Sequence, residues 1–282
     1  MPRPLPVGPR VVGIVNITED SFSDGGRFLD PAAAIAQARR LAAEGADIVE
    51  LGAAASNVAA GRVPPAEEIR RLGPVIAALA GSGTPLAIDT SQPETQRFAL
   101  ARGVAYLNDI RGFPDPSLYP HLAAGQCRLV VMHAVASEGR AERVDIGPGE
   151  VWQRIEAFFA ERVLRLEGAG IARERLILDP GMGFFLSSRA EASLRVLTSL
   201  DRLKLVFGLP VMVSVSRKSF LGAITGRALP AERGPATLAA ELYAAAHGAD
   251  FIRTHDPAAL RDALAVTAAL TAAARDRPDK AP

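Results

Sequence analysis

The chain has 282 residues, enough for one barrel domain or two average domains, and 49% of them are hydrophobic, which supports a large core. A formal net charge of +1 with no block of like charges excludes an extended nucleic-acid or membrane surface, but not a small phosphorylated ligand held by a few placed cations. Cys127 is the only cysteine, so an internal disulfide and a multi-cysteine metal site are excluded.

The opening MPRPLPVGPR is broken by prolines and does not read as a signal peptide. It is expected to be a disordered tail over residues 1–10, with a second over residues 275–282. No run reaches the roughly 20 apolar residues of a membrane helix, so a soluble, cytoplasmic protein is expected, with no membrane and no nucleic-acid partner.

Between the tails one unit recurs. A short apolar run ends in polar residues, an Ala-rich helical segment follows, and a glycine precedes the next run. The runs are VVGIVNI from Val11, ADIVELG from Ala46, PLAIDT from Pro85 and AYLNDI from Ala105. They continue with RLVVMH from Arg128, RLILDPG from Arg175, PVMVSVS from Pro210 and ADFIRTH from Ala249. Continuous β-branched runs of this length fit strands buried on both faces. Between them, Pro31 to Glu44 places Ile35, Ala38 and Leu41 on one helical face, and Trp152, Ile155, Phe158, Phe159, Val163 and Leu166 line a longer helix. Glycines at EGAD, RGVA and HGAD suit left-handed helix caps. Eight such units predict a single-domain (β/α)₈ TIM barrel over residues 11–274. No G-x-G-x-x-G follows the first run, which disfavours a doubly wound dinucleotide-binding sheet.

A barrel carries its active site at the C-terminal ends of its strands. Those ends supply Asn16, Ser56 and Asn57, Asp89, Asn108 and Asp109, and His133. Asp179, then Ser216, Arg217 and Lys218, then Arg253 and His255 complete the rim. Any one of them could be a helix cap or turn residue; the set on one rim points to a binding site. Lys218, Arg253 and His255 form a cationic patch on the last two strands, where barrels commonly bind phosphate. Asp89, Asn108 and Asp179 suit a heterocycle with several donors and acceptors. Together they imply a phosphorylated heterocyclic substrate. No Ser-His-Asp or H-E-x-x-H pattern is present.

At these residues the chain resembles a known family. NITEDSFSDGG from Asn16 is similar to the dihydropteroate synthase signature. IDT at Ile88, LNDI at Leu107, VMH at Val131, LDPGMGF from Leu178, SRKSF from Ser216 and RTHD from Arg253 resemble the later family segments in order. The resemblance implies a transferase of folate biosynthesis that condenses 7,8-dihydropterin-6-ylmethyl diphosphate with p-aminobenzoate. It also implies Mg²⁺ as cofactor and a homodimer. By residue match, Asn16 would bind the metal and, with Arg253 and His255, the diphosphate. Asp89, Asn108, Asp179, Lys218 and Arg253 would bind the pterin. Ser56, Phe184, Phe185, Ser216 and Lys218 would border p-aminobenzoate. The catalytic set would be Asp89, Asp179, Lys218, Arg253 and His255, under loops 17–26 and 53–62 that close over the site.

Three departures stand on the p-aminobenzoate side. Glu19 replaces the usual proline. Ala54, Ser56 and Asn57 replace Glu, Thr and Arg. Phe185 and Leu186 follow Phe184 where Gly-Lys is usual. With GFFLS at Gly183 and SVSRKSF at Ser214, these departures resemble the sulfonamide-insensitive form of the enzyme. Phe185 is then expected either as the wall that excludes the drug or as a core residue facing the helix layer. Two alternatives are a non-catalytic pterin-binding paralogue and a pterin-dependent methyltransferase on the same barrel.

Overall fold

The computed structural model describes residues 8–18, 30–55, 61, 63–135 and 141–275. All eight apolar runs form strands: β1 (Arg10–Asn16), β2 (Ile48–Gly52), β3 (Leu86–Asp89), β4 (Tyr106–Asp109), β5 (Arg128–Met132), β6 (Leu176–Asp179), β7 (Met212–Val213) and β8 (Phe251–Thr254). They pair in parallel in the order β6-β5-β4-β3-β2-β1-β8-β7. The ring is completed between β6 and β7 by one parallel bridge, Leu178 to Val211, with Leu178 N–H donating to the Pro210 carbonyl at 2.9 Å. The fold is therefore the expected barrel.

Helices α1 (Pro31–Ala43), α2 (Pro65–Leu79), α3 (Pro93–Leu100), α4 (Tyr119–Ala124) and α5 (Val151–Gly168) follow the first five strands. Two helices each follow β6 and β7: α6 (Ala190–Leu197) and α7 (Asp201–Phe207), then α8 (Ser219–Thr225) and α9 (Gly234–Ala246). Helix α10 (Pro257–Arg275) follows β8. Helix α1 begins at the cap Asp30, whose Oδ1 accepts from Ala32 N–H at 3.2 Å. Its buried face is Ala34, Ala38 and Leu41, with Ile35 half-buried at the edge; in α5, Phe158 is likewise half-buried.

Strand alternation sets the interior. One side chain from each strand fills the barrel axis: Val12, Ile48, Ala87, Tyr106, Val130, Ile177, Met212 and Phe251, all buried. Below this plug, Arg10 Nη1 donates to Tyr106 Oη at 2.7 Å. The outward phase of the strands joins the helices in the main core, which includes Cys127. Burial raises the Cys127 thiol to about 12, so it is inert packing.

The expected boundaries move by one residue at each end. Arg10 opens β1 and Arg275 closes α10, so neither belongs to a tail; residues 1–7 and 276–282 lie outside the described residues. Among the described residues no helix is long and apolar enough to cross a membrane.

Candidate active site at the barrel mouth

Two residues above the plug, the same inward phase changes from apolar to polar on five strands, while β1 and β5 keep Ile14 and Met132. Glu50, Asp89, Asn108, Asp179 and Arg253 occupy that layer in the C-terminal halves of β2, β3, β4, β6 and β8. Arg253 is its hub. Nε donates to Glu50 Oε1, and Nη2 donates to Asp89 Oδ2 at 3.1 Å. The second Glu50 oxygen accepts from Asn108 Nδ2 at 3.1 Å. Glu50 is fully buried, and the cation beside it offsets the desolvation of its charge.

Asn108 Oδ1, by contrast, is buried without a hydrogen-bond partner. An orphaned acceptor in this layer needs an incoming donor. Asp89 is raised to about 7, chiefly by burial and then by Glu50, with Arg253 opposing. Asp179 is raised to about 6 by burial, against a hydrogen bond from Gly181 N–H and the charges of Lys218 and Arg253. Lys218 is lowered to about 8 by burial and by Arg253. The layer therefore holds carboxyls that can present either a proton or a lone pair to a ring near neutral pH.

The turns that aim these groups are tightly specified. Gly181 has φ of +75°, and a Cβ there would run into the His133 carbonyl oxygen, so the turn after β6 requires glycine. His133 is locked beneath it. Its ring Nδ1 lies 3.1 Å from the Pro180 carbonyl, and burial lowers its pKa to about 4. A carbonyl can only accept, so Nδ1 carries the proton and the ring is neutral, orienting the turn.

One position higher, β7 and β8 meet. Ser216 Oγ lies 2.8 Å from His255 Nδ1 and accepts from His255 N–H at 3.2 Å. The hydroxyl keeps a proton to donate and a second lone pair to accept with, so it can serve either tautomer of the ring. Burial, then Arg217, Arg253 and Lys218, push the His255 pKa well below its usual value. His255 is therefore neutral, and Ser216 is engaged with it. Asn16 ends β1 across Gly52 from Asp89: a Cβ on Gly52 would lie 3.8 Å from both Asn16 Oδ1 and Asp89 Cβ.

Phe185 is buried in a small cluster with Ile110, Met132 and Ala141, against which Phe184 packs. This cluster is separate from the helix-layer core, and Lys218 Nζ stands 4.3 Å from the Phe185 ring centroid. The ring thus borders the mouth. Asp109 turns the other way, accepting from Gln96 Nε2 at 2.9 Å and from the Arg111 and Phe113 backbones, so it organises the β4 loop. Ser56, Asn57 and most of the two long loops lie outside the described residues. Glu50 is the residue that inspection of strand ends overlooks, because it precedes its strand end by two residues; its signal is a lone Glu in phase with Ile48 inside an apolar run.

Fold and rim together define a barrel enzyme of the pterin-binding class: a family profile described as pterin binding enzymes matches residues 12–255. A dihydropteroate synthase type-2 from Escherichia coli is 60% identical over 267 residues, covering 95% of this chain and 98% of that protein. The Xanthomonas albilineans dihydropteroate synthase structure with 4-aminobenzoic acid has a TM-score of 0.84 at 40% identity, covering 94% of each chain. The Yersinia pestis dihydropteroate synthase structure with a sulfonamide drug has a TM-score of 0.86 at 31% identity, covering 94% of this chain and 95% of that one. The chain belongs to the dihydropteroate synthase family.

Proposed function

We propose that this chain condenses 7,8-dihydropterin-6-ylmethyl diphosphate with p-aminobenzoate to give 7,8-dihydropteroate and diphosphate, and that it does so with low sensitivity to sulfonamides. The observation that carries the reading is the polar layer above the plug. Its orphaned Asn108 Oδ1 and its adjustable Asp89 and Asp179 suit the N–H groups of a pterin, and its cations lie on the β7–β8 side.

The pterin binds to Asp89, Asn108, Asp179 and Lys218, with Arg253 held flat against it by Glu50. Arg253 and His255 bind the diphosphate. Bond breaking at the methylene leaves positive charge on the pterin, and the Asp89 and Asp179 carboxyls stabilise it. The amine of p-aminobenzoate then attacks from the side bordered by Ser56, Phe184, Phe185 and Lys218. Ser216 contributes there through His255. The C–O bond breaks with its electron pair on the diphosphate, the C–N bond forms, and the attacking nitrogen then releases one proton, which the departing diphosphate or solvent accepts.

Asn16 fits Mg²⁺ in chemistry: it offers one amide oxygen at the edge of the mouth, and this hard cation takes few protein ligands when substrate phosphates supply the rest. The bound ion would supply charge neutralisation of the departing diphosphate. Among the described residues no group of three or more His, Cys, Asp or Glu forms a metal site.

Phe185 discriminates against drugs. A sulfonamide copies p-aminobenzoate but carries a tetrahedral sulfonyl and a substituent that project past the substrate's outline. A ring clamped over Lys218 obstructs that projection and spares the flat carboxylate. The enzyme acts in the cytoplasm as a homodimer; adjacent helices α9 and α10 leave Tyr243, Val266 and Leu270 exposed, apolar surface of the kind such an interface buries. One experiment tests the activity: diphosphate release measured with and without p-aminobenzoate. Release that depends on p-aminobenzoate and yields dihydropteroate supports the reading; none with either substrate mixture refutes it.

A further inference from the structure

Helix α9 packs behind β8, and its buried face is Thr237, Ala240, Glu241 and Ala244. Two of these four are polar and stand one helical turn apart. Thr237 Oγ1 accepts from Arg217 N–H at 2.9 Å. Arg217 holds φ of +59°, a costly conformation for a side-chain-bearing residue, and Arg233 Nη1 donates to its carbonyl at 2.8 Å. The segment Ser216 to Lys218 is therefore tied to α9 and its N-terminal approach.

Glu241 does the corresponding thing for β8. It is 1% exposed on the α9 face that packs against β8, and the Thr254 side chain lies beside its carboxyl. Thr254 is the outward-facing residue between Arg253 and His255, and is fully buried. Its Oγ1 accepts from Asp256 N–H at 3.2 Å, so its own proton is free to go to Glu241. The other carboxyl oxygen, Glu241 Oε1, has no partner. A buried, half-satisfied carboxyl is a poor choice for packing a helix on a strand, where an aliphatic side chain would fill the space without that desolvation. Burial raises its pKa to about 8, so it is retained as the neutral acid.

We propose that Glu241 is a positioning residue: acting through Thr254, it holds Arg253 and His255 in register with the Ser216–Lys218 segment, so that both halves of the diphosphate site hang from one face of α9. This rests on the assignment of Arg253 and His255 to the diphosphate. The Ser216–His255 hydrogen bond then closes the arrangement from the mouth side.

The test is steady-state kinetics of the full chain carrying Glu241→Met, Glu241→Gln or Thr254→Val, each with its melting temperature. Glu241→Met should raise KM for the pterin diphosphate about tenfold (about 1.4 kcal/mol), change KM for p-aminobenzoate less than twofold, and leave the melting temperature equal or higher. Glu241→Gln should restore KM to within threefold of the parent, because the amide oxygen still accepts from Thr254. Thr254→Val should reproduce the methionine variant, and the double variant should be no worse than either single one. Unchanged KM for the pterin diphosphate in Glu241→Met overturns the proposal. So does a glutamine variant as impaired as methionine, or a parallel rise of both KM values with a fall in melting temperature. If Glu241→Met does not fold, Thr254→Val decides by the same comparison. Arg253→Ala and His255→Ala serve as controls. If neither alters KM for the pterin diphosphate, the diphosphate assignment itself fails and the proposal with it; if they do and Glu241→Met does not, the proposal alone fails.

Discussion

Replacing Phe185 by glycine should make the enzyme more sensitive to sulfonamides. The ring is 7% exposed, and its face carries the Lys218 ammonium at 4.3 Å. To seat a sulfonamide substituent, the ring must swing away. That forfeits the cation–π contact, worth about 0.5–2 kcal/mol, and part of its packing on Ile110, Met132 and Ala141. A total near 1.4 kcal/mol is about tenfold in an inhibition constant, so Phe185→Gly should lower the sulfonamide Ki at least tenfold. KM for p-aminobenzoate, which lacks the projecting substituent, should move less than threefold. Truncation also removes buried surface, with a stability cost of about 3–5 kcal/mol by analogy with Phe→Ala, so the assay belongs well below the melting temperature. Phe185→Leu retains bulk but loses the cation–π contact, and should fall between the two. Dihydropteroate formation titrated with drug at several p-aminobenzoate concentrations separates the constants. A Ki unchanged in Phe185→Gly, or a KM that shifts by the same factor as Ki, would refute the wall.

Arg253→Ala should weaken turnover ten- to a hundredfold, about 1.5–3 kcal/mol for a hydrogen bond to a charged group, and His255→Ala should cost less, because that ring enters as a neutral group; equal losses would contradict the neutral assignment. Glu50→Gln should impair KM for the pterin diphosphate because Arg253 loses its charged anchor, and unchanged kinetics would show that Asp89 alone holds the guanidinium. Excess chelator should abolish activity and Mg²⁺ restore it. Asp89 and Asp179 have folded pKa values of about 7 and 6, above their usual 3.8, so their contribution to the melting temperature falls as pH rises from about 4 to 7, while His133 and His255, both lowered, contribute in the opposite sense. Asp179→Asn removes one falling contribution and should make the slope of melting temperature against pH more positive; an unaltered slope would remove Asp179 from the account.

Most of this architecture is legible in the sequence because each strand is a short apolar run with its own capping glycine. Even β7, only two residues long in the barrel, is visible as PVMVSVS. The polar rim is legible for the same reason: Asp89, Asp179 and Arg253 interrupt apolar runs. What strand ends alone do not reveal is the phase. Asn108 and Asp109 are neighbours, yet alternation sends one into the mouth and the other to a loop. Ser216 reads as a substrate contact, and the structure also pairs it with His255, a pairing between residues 39 apart that no local pattern announces. Glu50 stands inside its run and becomes visible only when the inward phase is carried up from Ile48. Protonation is the least legible of all, because it depends on burial and on charges brought from four different strands.

The division of labour at the mouth explains how drug discrimination can coexist with catalysis. The difficult step is departure of diphosphate, and the groups assigned to it sit on β1, β7 and β8, braced by Glu50 below and α9 behind. The nucleophile is an uncharged aromatic amine meeting a cation, and it asks little of the protein beyond access. The residues bordering that access are on the turn after β6, which meets the catalytic layer where Gly181 N–H bonds Asp179 and where Phe185 lies over Lys218. A side-chain change in this turn that leaves the Gly181 backbone in place can therefore alter what fits beside the pterin with little effect on how the pterin is activated. Phe185 is the exception. Phe185 helps hold a lysine already lowered to about 8 by burial and Arg253, so any substitution there acts on the charge of Lys218 as well as on shape. The Phe185→Leu variant, which keeps much of the bulk and loses the ring, tells the two effects apart.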